Sequence, residues 1–216
     1  MYSYNYVTIE GNIGAGKTTL ATILAERLQA KLVLEQFSNN PFLPDFYKNP
    51  DKNAFPLELF FMAERHQQLR EQVVERDLFQ NLIISDYFFQ KSLLFAKVTL
   101  KQHEFDLFQR LFNIVQKELP LPDLIIYLYA DIPRLQANIA RRGREYEQQI
   151  RNDYLARIQE TYLNYFRHHP EMRVVLIDVT EVNVPELPHA QEQIISLLQT
   201  EVRKGVSVYN LREGGG

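Results

Sequence analysis

The sequence contains no cysteine. Disulfides and thiolate metal sites are therefore excluded, which suits a reducing compartment. An excess of charge of one sign is also missing: 24 Lys and Arg stand against 27 Asp and Glu, for a formal net charge of -3. Neither a nucleic-acid polymer nor an anionic membrane is implied as the main partner, so any basic chemistry has to be local. No apolar run reaches the length of a membrane span. The opening MYSYNYVTIE has no basic segment followed by an apolar one, so no signal peptide is visible. The five histidines show no metal-ligand spacing, and there is no internal repeat. These absences leave a soluble, cytoplasmic chain as the expectation.

What is present is a chain of 216 residues, 45% hydrophobic, enough for one sizeable domain. We take residues 1–213 as that domain and the terminal Gly-Gly-Gly, 214–216, as a disordered tail. Short apolar runs at Val7 to Glu10, Leu32 to Leu34, Leu82 to Ser85, Leu124 to Leu128 and Val174 to Ile177 read as five strands. Helical patterns separate them. Leu20, Leu24 and Leu28 recur every fourth residue, and Phe105, Phe108 and Phe112 mark another face. Further helices are expected at Leu57 to Arg76, around Ile150 to Tyr162, and at Ala190 to Val202. The stretch FSNNPFLPDFYKNPDKN reads as irregular. Continuous apolar strands separated by helices predict an α/β fold whose parallel sheet is covered on both faces. In such sheets ligands bind beyond the carboxyl ends of the strands, which draws attention to Glu10, Glu35, Asp86 and Asp178.

Between the first strand and the first helix lies GNIGAGKTTL, which fills G-x-x-x-x-G-K-[ST] with Gly11, Gly16, Lys17 and Thr18. A chance match in a chain of this length is on the order of one in a hundred, and the strand-before, helix-after context lowers it further. The expected phosphate cradle comprises Gly11, Asn12, Gly14, Ala15, Gly16, Lys17, Thr18 and Thr19. Backbone N–H groups and a helix N-terminus meet the anion, Lys17 reaches the outer phosphates, and Thr18 ligates Mg²⁺. ATP is the default ligand. An Asn-Lys-x-Asp guanine-reading motif is absent, and the nearest approach to a Walker-B run is LIISD, Leu82 to Asp86.

GNIGAGKTTL, LEQFSNNPFL, LIISDYFF and IARRGREYE, in that order, resemble the deoxynucleoside kinase family, especially its bacterial deoxyadenosine/deoxyguanosine kinase branch. The likeness runs from Val7 to about Asp178. It implies a P-loop kinase fold with a five-stranded parallel sheet, a mobile lid at about 141–149 and, commonly, a homodimer. It implies transfer of the γ-phosphoryl group of ATP to the 5′-hydroxyl of a deoxynucleoside. By resemblance, Glu35 is the base facing that hydroxyl, and Arg142 and Arg144 are the lid arginines that join Lys17 in catalysis. Glu147 and Tyr47 hold the sugar 3′-hydroxyl. Gly143 would weaken a helix by roughly 1 kcal/mol relative to Ala, which fits a mobile lid. Asp86 either caps the segment after its strand or helps Thr18 hold Mg²⁺. The family's Asp/Glu-Arg-Ser is Asp86, Tyr87 and Phe88 here, so its arginine is missing, and Arg65 is a candidate replacement.

Glu58 and Arg65 lie seven residues apart, on one face of a helical pattern, with Met62 between them. Many family members have glutamine where Glu58 stands, gripping the base. Ionised glutamate only accepts hydrogen bonds, so an amine-bearing deoxynucleoside is expected: deoxyadenosine first, with deoxyguanosine or deoxycytidine as alternatives. Phe37, Phe42 and Phe55 are candidates for lining the base pocket. A thymidylate kinase would need further cations near the acceptor, and Phe37 to Glu64 offers only Lys48 and Lys52. A nucleotide switch without an acceptor is the other alternative.

Overall fold

The computed structural model describes residues 3–36, 40–75 and 82–212. Phe37, named above for the base pocket, lies outside these residues, as do Arg76 and the 214–216 tail. Strand β1 (Tyr6–Gly11) is buried along its whole length. It runs through the phosphate loop into α1 (Lys17–Leu28), whose Leu20 and Leu24 are fully buried. There follow β2 (Lys31–Val33), α2 (Leu43–Lys48), α3 (Pro50–Leu69) with a π-helical turn over Arg70–Val74, and β3 (Ile83–Ser85). Next come α4 (Lys91–Thr99), α5 (Gln102–Val115), β4 (Leu124–Tyr129), α6 (Ile132–Arg142), α7 (Asn152–His168), β5 (Arg173–Asp178), α8 (Pro188–Leu197) and β6 (Gly205–Tyr209).

The sheet is parallel, in the order β2-β3-β1-β4-β5-β6. Strand alternation sends side chains to two faces. From β4, Leu124, Ile126 and Leu128 join the core shared with α1 and α8, while Ile125 and Tyr127 pack with Tyr162 and Phe166 of α7. The chain leaves β1 toward β3 on one side and reaches β4 on the other. The phosphate loop therefore sits where the strand order reverses, the position at which open α/β sheets bind ligands.

Three expectations are corrected. Among the described residues the sheet has six strands, not five. The added strand, β6, pairs with β5 from Arg173↔Gly205 to Ile177↔Tyr209. Its Val206 and Val208 are exposed, so it lacks the near-continuous burial of β1, β3 and β4. Second, the last helix stops at Leu197 rather than Val202. The Tyr4 hydroxyl takes the Val202 N–H at 2.7 Å and donates to the Thr200 carbonyl at 3.0 Å, turning the chain toward β6. Third, the stretch read as irregular contains α2 and the start of α3. Pro50 is the first residue of α3, where a proline's missing N–H costs no helical bond.

Candidate active site

The phosphate loop is shaped by close backbone contacts. At Gly11 (φ +152°) a Cβ would meet the Leu128 carbonyl oxygen at 2.6 Å, and at Gly14 (φ +86°) the Leu135 carbonyl oxygen at 2.7 Å. Gly14, an extra to the sequence pattern, is therefore required by the packing of α6 on the loop. The Asn138 amide ties α6 to the Gly14 carbonyl at 2.8 Å. The Asn12 amide donates to the Leu155 carbonyl at 2.8 Å, anchoring the loop to α7. The Lys17 ammonium lies 2.8 Å from the Asn12 carbonyl. Burial, and the Lys91 ammonium nearby, lower its pKa to about 8.

A cavity of about 110 Å³ opens beyond the strand ends. Lys17, Thr18, Glu35, Asp86, Lys91 and the lid arginines are among its lining residues. Glu35 follows β2 and receives two cations. Arg65 donates to Oε1 from Nε at 2.7 Å, with its Nη2 2.5 Å from the same oxygen as an ion pair, and Lys91 donates to Oε2 at 2.6 Å. Burial pushes the Glu35 carboxyl up, but Arg65 and Lys91 override it and hold the pKa at about 2. Asp86 follows β3 and accepts from Thr18 Oγ1 at 2.5 Å and from the Glu35 N–H at 2.7 Å. One carboxylate thus links the phosphate loop to the segment carrying Glu35.

The lid arginines are brought to Glu147. Arg142 donates to Oε2 from Nε (2.9 Å) and Nη2 (2.6 Å), and Arg144 donates to Oε1 at 3.1 Å. Gly143 does not interrupt a helix, as expected above. It terminates α6 in the left-handed conformation (φ +71°), where glycine carries no Cβ strain. Tyr47, from α2, stacks on Tyr146 with ring centroids 6.0 Å apart and lines the same cavity as Glu147. Arg142 also lines a second cavity of about 370 Å³ over the outer side of the phosphate loop, with Gly14, Gly16, Thr19, Arg134 and Asn138.

Glu58 and Arg65 do share a helix face, but they are buried and diverge. Arg65 turns to Glu35 and to Ser92 Oγ (2.9 Å). Glu58 accepts from the Thr99 hydroxyl at 2.9 Å, and its Oε2 is buried with no hydrogen-bond partner among the described residues. Neither Glu58, Met62 nor Phe55 lines the 110 Å³ cavity; Phe61 and Phe95 do. Met62 and Phe55 belong to the core between α3 and the sheet. Asp178 is exposed and caps a turn through the Thr180 N–H.

One residue escaped the sequence reading. Lys91 is 5% exposed, and its ammonium sits 5.6 Å from the centre of the Phe95 ring. It reaches Glu35 from the first turn of α4, so with Arg65 it supplies the positive charge that the absent family arginine left unassigned. A lysine after a run of aromatics carries no local signal of this. Glu10, singled out only as a strand end, is fully buried and accepts from the Gly11 N–H, the Phe88 N–H and the Tyr162 hydroxyl. Burial raises its pKa, against the pull of Lys91 and Lys17.

Among the described residues no group of three His, Cys, Asp or Glu could hold a metal ion alone. The Thr18 hydroxyl and Asp86 carboxylate nevertheless face each other at the phosphate loop. Mg²⁺ is commonly held by one or two carboxylates plus substrate phosphates, so this donor pair fits the ion.

The deoxynucleoside kinase family model matches residues 7–203. The chain is 34% identical over 177 residues to the deoxyguanosine kinase of Bacillus subtilis (strain 168), covering 80% of this chain and 86% of that protein. It is 28% identical over 209 residues to the deoxyadenosine/deoxycytidine kinase of the same strain, covering 92% and 95%. The fold is similar to that of deoxyadenosine kinase from M. mycoides with bound dATP. The TM-score is 0.77 at 23% identity, covering 90% of this chain and 98% of that one.

Proposed function

Because the chain belongs to the deoxynucleoside kinase family, we propose that it transfers the γ-phosphoryl group of ATP to the 5′-hydroxyl of an amine-bearing deoxynucleoside. The observation that carries this reading is one cavity in which Glu35, clamped by Arg65 and Lys91, faces Lys17, Thr18 and Asp86 of the phosphate end. The nucleoside oxygen attacks the γ-phosphorus, the bond to the β-phosphate oxygen breaks, and the hydroxyl proton passes to Glu35. A carboxylate with a pKa near 2 is a weak base. The loose transition state of phosphoryl transfer asks mainly for an aligned acceptor and for positive charge, so Glu35 acts chiefly by orientation and takes the proton late.

Thr18 and Asp86 would hold Mg²⁺, which supplies charge neutralisation on the transferring phosphates. Lys17, Arg142 and Arg144 neutralise the remainder, and the cradle from Gly11 to Thr19 positions the triphosphate. The 110 Å³ space is well below the ~300 Å³ of an ordinary ligand site. The lid at about 141–149 therefore has to move, releasing its arginines toward phosphate and Glu147, with Tyr47, toward the sugar 3′-hydroxyl. Residues 1–213 act as one catalytic unit in this scheme.

With ATP supplied, acceptor-dependent ATP consumption is expected with deoxyadenosine, deoxyguanosine or deoxycytidine and not with thymidine. Turnover with thymidylate alone would move the chain to the monophosphate kinases. Against that outcome, Lys48 and Lys52 are both exposed, and the buried cations Arg65 and Lys91 are committed to Glu35. Absence of turnover with every acceptor would favour a nucleotide switch.

We also propose a cytoplasmic homodimer. No helix among the described residues is long and apolar enough to cross a membrane. Leu107, Leu111 and Ile114 form an exposed apolar stripe on α5, a surface suited to a second copy. Sedimentation should give a dimer, and Leu111→Glu a monomer; a monomeric wild-type protein would end this assignment.

A further inference from the structure

Glu35 lies beyond the end of the sheet. Strand β2 stops at Val33, whose carbonyl takes the Asp86 N–H at 3.2 Å, and among the described residues its ladder with β3 ends there. The direction of the Glu35 side chain therefore depends on the peptide unit that joins Leu34 to Glu35. That unit is held at both ends. Its N–H, from Glu35, donates to Asp86 Oδ1 at 2.7 Å. Its carbonyl, from Leu34, accepts from the Gln68 amide at 2.9 Å, and Gln68 Oε1 in turn accepts from the Tyr87 hydroxyl at 2.5 Å. Asp86 and Tyr87 are consecutive, so one short segment after β3 governs both ends of the peptide.

Donor chemistry fixes the direction of this relay. A carbonyl only accepts, so the NH₂ group of Gln68 must face Leu34. Its oxygen is left facing Tyr87, whose hydroxyl must donate. Burial pushes the Tyr87 pKa up, so the hydroxyl keeps its proton. Tyr87 is itself fixed: its side chain is fully buried in the core with Met62, Leu69 and Phe89, and its carbonyl accepts from Ser85 Oγ at 2.8 Å. Gln68 follows Arg65 by three residues on α3, and residues so spaced share a helix face. A single face of α3 thus grips the carboxylate of Glu35 through Arg65 and the peptide that carries it through Gln68.

We infer that Tyr87 is a positioning residue for the phosphoryl transfer: through Gln68 it locks the Leu34–Glu35 peptide and so aims the Glu35 carboxylate at the acceptor oxygen. This rests on the reading of the site as a deoxynucleoside kinase. Tyr87 is the position at which the chain departs from the family's Asp/Glu-Arg-Ser. Charge and aim are supplied separately here, the first by Arg65 and Lys91 and the second by an uncharged relay. The relay runs from the segment after β3, through α3, to the chain after β2, and leaves the phosphate loop out.

The test is steady-state kinetics of Tyr87→Phe, which removes the hydroxyl and keeps the buried ring. A misplacement of about 1 Å can cost about 10² in rate, and a peptide freed at one of its two ends should move less, so kcat is expected to fall about tenfold. KM for ATP should hold its wild-type value. Gln68→Met, which keeps the length of the side chain and removes the amide, should show the same loss. The two changes combined should cost no more than either alone, since both free the same peptide. The decisive comparison repeats each change in a Glu35→Gln background. There it should cost little further, because the carboxylate being aimed is already gone. An equal loss in both backgrounds would show that the relay only supports the fold and would overturn the inference, as would wild-type kcat in either single variant. Gln68 is half-buried, so Gln68→Met decides the matter alone if Tyr87→Phe does not fold. A wild-type protein that phosphorylates no nucleoside would overturn the kinase reading itself, and this inference with it.

Discussion

Replacing Glu35 by glutamine is expected to lower kcat by about 10²-fold, the scale on which a misplaced acceptor loses rate. The amide keeps the shape of the side chain but brings its own N–H donors to Arg65 and Lys91, where two cations converge within 2.7 Å of the carboxylate. KM for the nucleoside should change less than kcat, because the lost interaction belongs to the reacting oxygen. A stability effect with a defined pH dependence should accompany it. The Glu35 pKa is lowered from 4.5 to about 2, a difference worth about 3 kcal/mol at most. Arg65's upward shift reports the same ion pair and is counted once. A depressed carboxylate contributes stability that is complete above its unfolded pKa and is lost as pH falls through the folded one. The melting temperature of Glu35→Gln should thus lie below that of the wild type at neutral pH, and the gap should close between about pH 4.5 and about pH 2. Unchanged turnover in this variant would remove Glu35 from the chemistry.

Lys91→Met should cost about 10²-fold in kcat, the magnitude seen when one preorganised donor is taken from a site of developing charge. Its second consequence separates a role in the site from simple packing. With Lys91 gone, only Arg65 holds Glu35 down. Loss of one close opposite charge raises a carboxylate pKa by about 1–3 units. The acidic limb of the kcat profile should therefore move upward by that amount. Lys91→Arg, which keeps the charge, should recover much of the rate and leave the limb near its wild-type position. A variant that melts early but keeps both kcat and the acidic limb would show that Lys91 serves only to fill space.

Sequence legibility varied with the distance over which each feature is determined. The phosphate loop was legible because its needs are local: a glycine where φ is positive, a lysine and a threonine at the helix start. The interior strands β1, β3 and β4 were legible because burial on both faces demands continuous apolar residues, and β2 and β5 carry apolar runs of the same kind. The edge strand β6 was not, since its alternating valines face partly to solvent and its strand character comes from pairing with β5. Prolines at 44 and 50 misled in the other direction, reading as breaks where they open helices.

The amino-acid order by itself determined the phosphate cradle, the parallel α/β class and the identity of the carboxylates beyond the strand ends, because backbone sterics and hydrophobic periodicity act over a few residues. Tertiary structure decided which cations those carboxylates meet. Arg65 lies 30 residues from Glu35, and Lys91 lies 56. Only the packing of α3 and α4 beside β2 sets both on one carboxylate and leaves Glu58, two turns before Arg65, with an oxygen unpaired. Charge partners of this kind are chosen by proximity in a low-dielectric interior, and proximity across the sheet is not written in the spacing along the chain.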